Sequence, residues 1–208
     1  MGTSQPFAKV KGVGRRNHGK NQHTGDEARK FYKYCLARAE RDDWTALGLL
    51  SAQLMALRSG DVRRRDVRDV DLDATILHVS RGKMEKSNRP RLIPKVLRPH
   101  YRRMIANRAP TEPLFKTPLT ESGYHTHRWL QEAMVTFCAL AGVPYICPHG
   151  LKGTAGTMLV ETGHASEAIA DHLSHEKKST TERSYIAPGA LEQARTERGA
   201  ELITEGDQ

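Results

Sequence analysis

The sequence predicts a mainly α-helical domain of the α+β class, with helices packed around one small antiparallel β-sheet. Apolar residues recur at steps of three and four along several segments, which is typical of helices with one buried face. One short alternating segment followed by a short apolar one predicts a single β-hairpin. With 208 residues, of which 38% are hydrophobic, the chain forms one large domain or one domain with an appendage.

The predicted helices are, in chain order, residues 26–40, 44–57, 96–109, 122–141, 151–161, 165–173 and 189–202. Ser122 is the predicted N-cap of the fourth of these helices, which Gly142 and Pro144 terminate. Pro99 fits its helix only in the first turn. The predicted strands are residues 74–80 and 91–94, and residues 62–73 form a charged surface stretch that closes in a turn.

Residues 1–24 contain five lysines and arginines and almost no apolar periodicity, which predicts a flexible basic arm. The basic residues of this arm are Lys9, Lys11, Arg15, Arg16 and Lys20. Two interpretations remain open: the arm tracks a phosphate backbone, or it is a linker left from an absent upstream domain.

The whole chain is basic, with a net charge of +9 and a pI near 9.6. A nucleic acid is the simplest partner for such a protein, and a basic surface that only aids solubility is the alternative. The three cysteines lack the spacing of a disulfide framework, so we expect reduced thiols at Cys35, Cys138 and Cys147. The chain has no apolar run of membrane-spanning length and no signal-peptide core, so we expect a soluble, intracellular protein.

The stretch Pro148–Tyr185 contains several residue types that can take part in catalysis. His149 and Lys152 are three residues apart and share one face of a predicted helix; His175 and Tyr185 follow. A tyrosine that attacks a phosphodiester needs cations on the nonbridging oxygens, an in-line nucleophile and further hydrogen-bond donors. By itself, Tyr185 could equally be a half-buried tyrosine without a chemical role.

Arg58 follows the apolar predicted helix 44–57, where a cation is costly unless an anion meets it. Taken alone, Arg58 indicates a structural ion pair with a nearby acid such as Asp61. The lysines at the tip of the hairpin, Lys83 and Lys86, could likewise be no more than a solvated, charged edge.

Taken in order, these motifs resemble the catalytic domain of the tyrosine recombinases, the phage integrase family, from residue 25 to about 190. The family pattern is Leu-Arg-x-x-Glu, a hairpin lysine, His-x-x-Arg, Leu-Gly-His, and Thr-Thr before the tyrosine. Within Pro148–Tyr185 the chain departs from it in three places. Lys152 replaces the second arginine, Ser174 replaces the glycine, and three residues rather than two separate Thr181 from Tyr185.

The resemblance implies the tyrosine recombinase catalytic-domain fold and a set of site residues. The catalytic residues would be Tyr185, Arg58, Lys86, His149, Lys152 and His175, supported by Asp61 and Thr181. Tyr185 would attack the scissile phosphate, whose nonbridging oxygens Arg58 and Lys152 would hold. His149 would assist proton transfer, His175 would donate to the phosphate, and the hairpin lysine would protonate the leaving 5′ oxygen. Lys86 fits that position better than Lys83. The basic arm, together with Lys83 and Arg89, would contact DNA.

The implied function is site-specific cleavage and rejoining of DNA through a 3′-phosphotyrosyl intermediate, slowed by Lys152. The alternative is a catalytically inactive, recombinase-like DNA-binding regulator or architectural protein; the motif order argues against a type IB topoisomerase. No cofactor is expected, because the phosphotyrosyl ester conserves the bond energy. No metal is expected either, because His164, His172 and His175 lack a closed Cys/His ligand set.

The implied partners are double-stranded DNA and other copies of the chain, up to a tetramer on DNA and a monomer alone, with no membrane. The implied location is the cytoplasm, associated with a nucleoid and encoded by a bacterium or a phage. Residues 25–208 would form the catalytic domain with its C-terminal helix. The upstream core-binding domain would be absent, in an excised domain or a naturally minimal relative.

Overall fold

The computed structural model describes residues 21–79 and 90–161. Its elements are α1 (Gly25–Ala39), α2 (Trp44–Leu54), α3 (Ser59–Arg63), a 3₁₀ turn (Val67–Asp69), β1 (Val70–Asp71), β2 (Ile76–Leu77), β3 (Arg91–Leu92), α4 (Arg98–Ile105), α5 (Trp129–Ala141) and α6 (Pro148–Glu161). The prediction of a mainly helical α+β domain with a small antiparallel sheet is therefore confirmed.

Helix α2 is the centre of the core, and α1, α3, α5 and α6 all pack against it. Leu47, Leu49 and Leu50 of α2 are completely buried. Burying one such leucine side chain stabilises the fold by about 2 kcal/mol, so α2 contributes much of the hydrophobic stabilisation. Because α2 is buried on nearly every side, its sequence is apolar all round, as predicted for residues 44–57.

Two helix starts are fixed by side-chain caps. At α1, the Glu27 N–H donates to Thr24 Oγ1 (3.4 Å) and the Thr24 N–H donates to Glu27 Oε2 (2.8 Å), which completes a capping box. At α2, Asp43 Oδ1 accepts from the N–H groups of Thr45 (3.1 Å) and Ala46 (3.2 Å). Such caps satisfy backbone donors that a helix otherwise leaves open.

The sheet has the strand order β1-β2-β3, and both pairs are antiparallel. Val70 pairs with Leu77, and Leu77 pairs in turn with Arg91, so the predicted hairpin of residues 74–80 and 91–94 has its counterpart in β2 and β3. Strand β1 was not predicted, because its two residues lie in a charged stretch that lacks a strand pattern.

Helix α5 begins at Trp129, seven residues later than predicted, so the assignment of Ser122 as its N-cap is wrong. A bridge between Lys116 and Tyr124 and a hydrogen bond from the Thr117 N–H to the Gly123 carbonyl (2.9 Å) hold the preceding residues in a turn. Gly123 has φ +73°, a conformation that glycine adopts readily and a helix does not use. The predicted end at Ala141 is confirmed; Gly142 is the left-handed cap (φ +65°).

Several other boundaries differ from the predictions. Helix α2 ends at Leu54 rather than at residue 57, and α4 spans Arg98–Ile105 rather than 96–109, with Pro99 in its first turn as predicted. Residues 21–24, placed in the flexible arm, pack against α6; the fixed part of the domain thus begins at least four residues earlier than predicted. The predicted helices 165–173 and 189–202 lie outside the described residues.

The three cysteines, all in the described part, are free thiols. Burial raises the pKa of the Cys35 and Cys138 thiols, which keeps them protonated. No helix within residues 21–79 and 90–161 combines the length and apolar character needed to cross a membrane.

Candidate active site

Arg58 lies where the chain leaves the core helix α2 and enters the short helix α3. Between the two, Ala56 has the left-handed φ of +51° and reverses the direction of the backbone. Arg58 is the N-cap residue of α3 and is half-buried. This turn brings a guanidinium from the apolar core to its edge.

The side chain of Asp61 forms a hydrogen bond with the backbone of Arg58 rather than with its guanidinium. The Arg58 N–H donates to Asp61 Oδ2 at 3.1 Å, and the Asp61 N–H donates to the Arg58 carbonyl at 2.8 Å. Within residues 21–79 and 90–161, no carboxylate lies within ion-pairing distance of the Arg58 guanidinium, Asp61 included. The alternative of a structural Arg58–Asp61 ion pair is therefore wrong, because the carboxylate is occupied as a helix cap. The guanidinium can meet an anion from outside.

His149 and Lys152 both lie in the first turns of α6, which begins at Pro148 as a proline suits a helix start. His149 is half-buried, whereas Lys152 is only 2% exposed. A fully buried ammonium is uncommon, because it must be surrounded by groups that replace its hydration. The helix thus carries one accessible imidazole and one enclosed cation on the same side.

Arg58 and α6 are connected through the core helix α2. Helix α6 packs against α2, α1 and α5, and α2 also packs against α3, whose N-terminus Arg58 caps. The structure therefore joins, through the buried helix α2, two of the elements that the sequence motifs single out. Four predicted site residues are described: Arg58, Asp61, His149 and Lys152.

The other predicted site residues lie outside the described part of the chain. They are Lys9, Lys11, Arg15, Arg16, Lys20, Lys83, Lys86, Arg89, His175, Thr181 and Tyr185. Among the residues that are described, no group of three or more His, Cys, Asp or Glu side chains is arranged to hold a metal ion.

A basic surface beside α3 was not predicted as part of the site. Arg63 Nη1 donates to the carbonyl of His125 at 3.0 Å, which ties α3 to the turn before α5. Burial, and then the charge of Arg64, lower the pKa of Arg63. Arg64, which follows Arg63, is exposed. His127 and Arg128, which follow His125, are exposed as well. The run of arginines at 63–65 is a signal for such a basic surface, but its pattern alone predicts only a charged, solvent-exposed stretch.

His125 itself stacks on the ring of Trp129, with centroids 4.0 Å apart and planes 7° from parallel. Burial lowers the pKa of His125, which keeps its imidazole neutral near pH 7. The stack anchors this turn on the first residue of α5, and the anchor in turn fixes the carbonyl that Arg63 binds.

Sequence reasoning also missed Gln22, His23, Thr154 and Thr157, which join the start of the domain to α6. Thr157 Oγ1 donates to Gln22 Oε1 at 2.6 Å, and the His23 N–H donates to Thr154 Oγ1 at 3.1 Å. The available signal was the run of glycines and threonines between 150 and 157, because small residues on one helix face indicate a close backbone approach.

These features define a mainly helical α+β domain in which one core helix joins the half-buried Arg58 to a helix that carries the buried Lys152. A sequence profile of the Phage integrase family matches residues 22–191, which is most of the chain. The chain therefore belongs to the Phage integrase family. A sequence comparison with curated proteins found no match.

Solved structures with the same fold are recombinases and integrases. XerA recombinase superposes with a TM-score of 0.69 at 20% identity, over 87% of this chain and 66% of that one. The Tn1549 transposon integrase, in complex with transposon right end DNA, gives 0.64 at 14% identity, over 88% and 67%. XerH site-specific recombinase, bound to a palindromic difH substrate, gives 0.61 at 14% identity, over 91% and 54%.

At these identities the likeness is one of fold. The chain spans 66%, 67% and 54% of the length of these three structures.

Proposed function

We propose that the chain is the catalytic part of a site-specific DNA recombinase or integrase that cleaves and rejoins DNA through a phosphotyrosyl ester. The observation that best supports this is the placement of Arg58 and α6 around the shared core helix α2. In the described part of the chain, no acidic side chain lies within ion-pairing distance of the Arg58 guanidinium, and α6, which packs on the same core helix, carries His149 and Lys152.

In the proposed reaction, the phenolic oxygen of Tyr185 attacks the scissile phosphorus, and the bond from phosphorus to the 5′ oxygen breaks. His149 assists the removal of the proton from the Tyr185 hydroxyl. Lys86 donates a proton to the leaving 5′ oxygen. Arg58 and Lys152 offset the negative charge that develops on the nonbridging oxygens. The reverse reaction, with a 5′ hydroxyl as nucleophile, restores the DNA strand. The phosphoryl bond is exchanged rather than hydrolysed, so the cycle needs no ATP.

Lys152 sets the expected rate. A guanidinium binds two phosphate oxygens in one plane, whereas an ammonium is a point charge on a flexible stem. Losing one well-placed donor to a developing charge costs about 3 kcal/mol, or roughly a hundredfold in rate, and a lysine should lose less than that. Because Lys152 is 2% exposed, its enclosure restricts the stem and recovers part of the missing orientation.

The same lysine favours a second candidate, a recombinase-like protein that binds DNA without cleaving it and acts as a regulator or architectural factor. In that case Tyr185→Phe leaves the function intact. An active recombinase loses all strand cleavage with this substitution, since the phenylalanine ring carries no nucleophile.

A covalent selection tests the proposal without a known target sequence. The chain is incubated with a library of nicked duplexes that carry a randomised segment, and DNA that stays attached to protein after denaturation is sequenced. The recovered sequence then serves as substrate for single-turnover cleavage. We expect a slow covalent adduct from the wild type and a faster one from Lys152→Arg.

The matched control is Lys30→Arg, which makes the same change at an exposed position of α1 and should leave the rate unaltered. Unfolding in urea is measured for each variant, because a larger side chain at a buried site costs about 1–3 kcal/mol of stability. Failure of both the wild type and a folded Lys152→Arg to form an adduct would contradict the activity.

The proposed partner is double-stranded DNA, bound by copies of the chain that assemble up to a tetramer on it, in the cytoplasm. Exposed Arg64 and Arg128 would add phosphate contacts to those of the basic arm. Because each neutralised phosphate releases counterions, the affinity should fall steeply with added salt. A flat dependence of the dissociation constant on salt would contradict this mode of binding.

A further inference from the structure

Residues 21–24, here called the strap, lie directly on α6. His23 is only 4% exposed; its N–H donates to Thr154 Oγ1 at 3.1 Å, and its ring Nε2 bonds the Pro144 carbonyl at 2.9 Å. One strap residue further out, Gln22 Oε1 accepts from Thr157 Oγ1 at 2.6 Å. The strap therefore binds both α6 and the loop that leads into it.

The backbone of the strap approaches α6 closely at Gly150, and the side chain of Gln22 lies against Gly153. A Cβ added at Gly150 would lie 2.5 Å from the carbonyl oxygen of Asn21, and one at Gly153 would lie 2.7 Å from Nε2 of Gln22. Each glycine costs a helix interior about 1 kcal/mol relative to alanine. Close approach of the strap is the physical reason that this helix tolerates that cost.

His23 contributes a directed hydrogen bond rather than volume alone. Because the Pro144 carbonyl can only accept, Nε2 of His23 is the donor in this hydrogen bond. Within residues 21–79 and 90–161, the buried Nδ1 of His23 has no hydrogen-bond partner, and the ring centroid of Phe31 is 5.5 Å away. An apolar residue would fill the site without this desolvated atom, so the donor itself has a role.

We propose that Gln22 and His23 are positioning residues, which hold α6 so that His149 and Lys152 meet the DNA phosphodiester. The strap binds the face formed by Gly150, Gly153, Thr154 and Thr157, which adjoins the face of His149 and Lys152. A small rotation of α6 would move both chemical groups together. The inference rests on the proposed recombinase function, because it assigns the strap a part in that reaction.

The experiment compares three variants, two in the strap and one at its hydrogen-bond partner in α6, on the substrate recovered by covalent selection. His23→Leu removes the donor and keeps an apolar side chain, His23→Gln keeps an N–H near the position of Nε2, and Thr157→Val removes the bond to Gln22 at nearly constant shape. Single-turnover cleavage at saturating protein is measured beside the dissociation constant for the same DNA. Tyr101→Phe is the control, since it removes a buried hydrogen bond (2.7 Å to Ser51) from α4.

We expect cleavage by His23→Leu and Thr157→Val to fall about tenfold, because small misplacements of catalytic groups cost factors of this size. The dissociation constant should stay within about twofold, and His23→Gln should recover most of the rate. Tyr101→Phe should lose stability in urea and cleave at the wild-type rate.

Wild-type rates in His23→Leu and Thr157→Val would overturn the inference while leaving the recombinase proposal intact. A loss of rate in Tyr101→Phe that matches the strap variants would also overturn it, because stability alone would then explain the effect. Absence of an adduct from the wild type is a different result: it contradicts the recombinase proposal, and the inference is then wrong with it.

Discussion

Helices α2 and α6 pack against each other, and α6 adds polar contacts to the apolar burial that the two helices share. Helix α2 is apolar all round and buries Leu47, Leu49 and Leu50 completely. Helix α6 is rich in glycine and threonine and carries the buried Lys152. Its polar groups form hydrogen bonds with the strap. Burial of side chains fixes α2, whereas α6 combines the burial of side chains such as Leu151 with close backbone approach and directed hydrogen bonds.

The difference shows how the domain separates stability from chemistry. Apolar burial is strong and tolerant of small movements, which suits a core helix. Hydrogen bonds contribute less but specify distance and direction, which suits the aiming of an imidazole and a cation that we propose for α6. We therefore expect substitutions in α2 to change stability first and substitutions in α6 to change cleavage first.

The largest effect is expected from Leu50→Ala in α2. Leu50 is completely buried, and truncation of such a leucine leaves a cavity that lowers the free energy of unfolding by about 4 kcal/mol. Urea denaturation measures the loss. The fraction of protein that remains folded should cleave DNA at the wild-type rate, and a cleavage defect in that folded fraction would contradict the separation between the two helices.

The next effect is expected from Lys152→Met in α6. Methionine keeps the unbranched stem and removes the charge, so the developing negative charge loses one of its two cations. We expect single-turnover cleavage to fall roughly a hundredfold, which corresponds to about 3 kcal/mol. Arg58→Met should give a loss of similar size, and wild-type cleavage by either variant would remove that residue from the site.

A paired glycine substitution sharpens the comparison. Alanine at Gly150 of α6 would meet the Asn21 carbonyl at 2.5 Å, whereas alanine at Gly48 of α2 would meet the ring of Trp129 at 2.9 Å. Each should cost about 2 kcal/mol of stability through overpacking. Only Gly150→Ala should also slow cleavage, because the strap must move away from α6. Equal cleavage rates in the two folded variants would show that the strap is not needed there.

The smallest effect is a pH dependence from His125. Burial lowers its pKa in the folded state below the ordinary value of 6.5, so the unfolded chain binds the proton more readily. Above pH 6.5 the imidazole is neutral in both states and contributes no penalty. As the pH falls through 6.5 toward the folded pKa, stability is lost. His125→Phe keeps a ring on Trp129 and should lose less stability than the wild type between pH 7 and 5.5, as measured by urea unfolding.

Sequence patterns predicted the elements that apolar periodicity controls. Helices α1 and α2 begin within one residue of the predicted positions, because Thr24 and Asp43 are strong caps before periodic segments. The late start of α5 could not be read from the sequence, since the turn before it is fixed by contacts with residues far along the chain. One of these is the bond from the Tyr124 hydroxyl to Asp66.

The positions of the candidate site residues could be predicted only for residues that belong to a sequence motif. His149 and Lys152 are three residues apart in a helix, as their spacing indicated, and Arg58 lies at a helix junction as predicted. The strap was not predicted, because residues 21–24 are polar and gain their order from α6, which is more than a hundred residues later in the chain. Such long-range polar contacts leave no periodic signal.

The most direct test of the central claim is to locate the DNA on the protein. The covalent complex from the nicked-duplex selection is digested with protease and nuclease, and the nucleotide-bearing peptide is sequenced by mass spectrometry. We expect a 3′-linked nucleotide on Tyr185, and no complex from Tyr185→Phe. A nucleotide on any other residue, or an equal yield of complex from Tyr185→Phe, would contradict the assignment of this chain as a tyrosine recombinase.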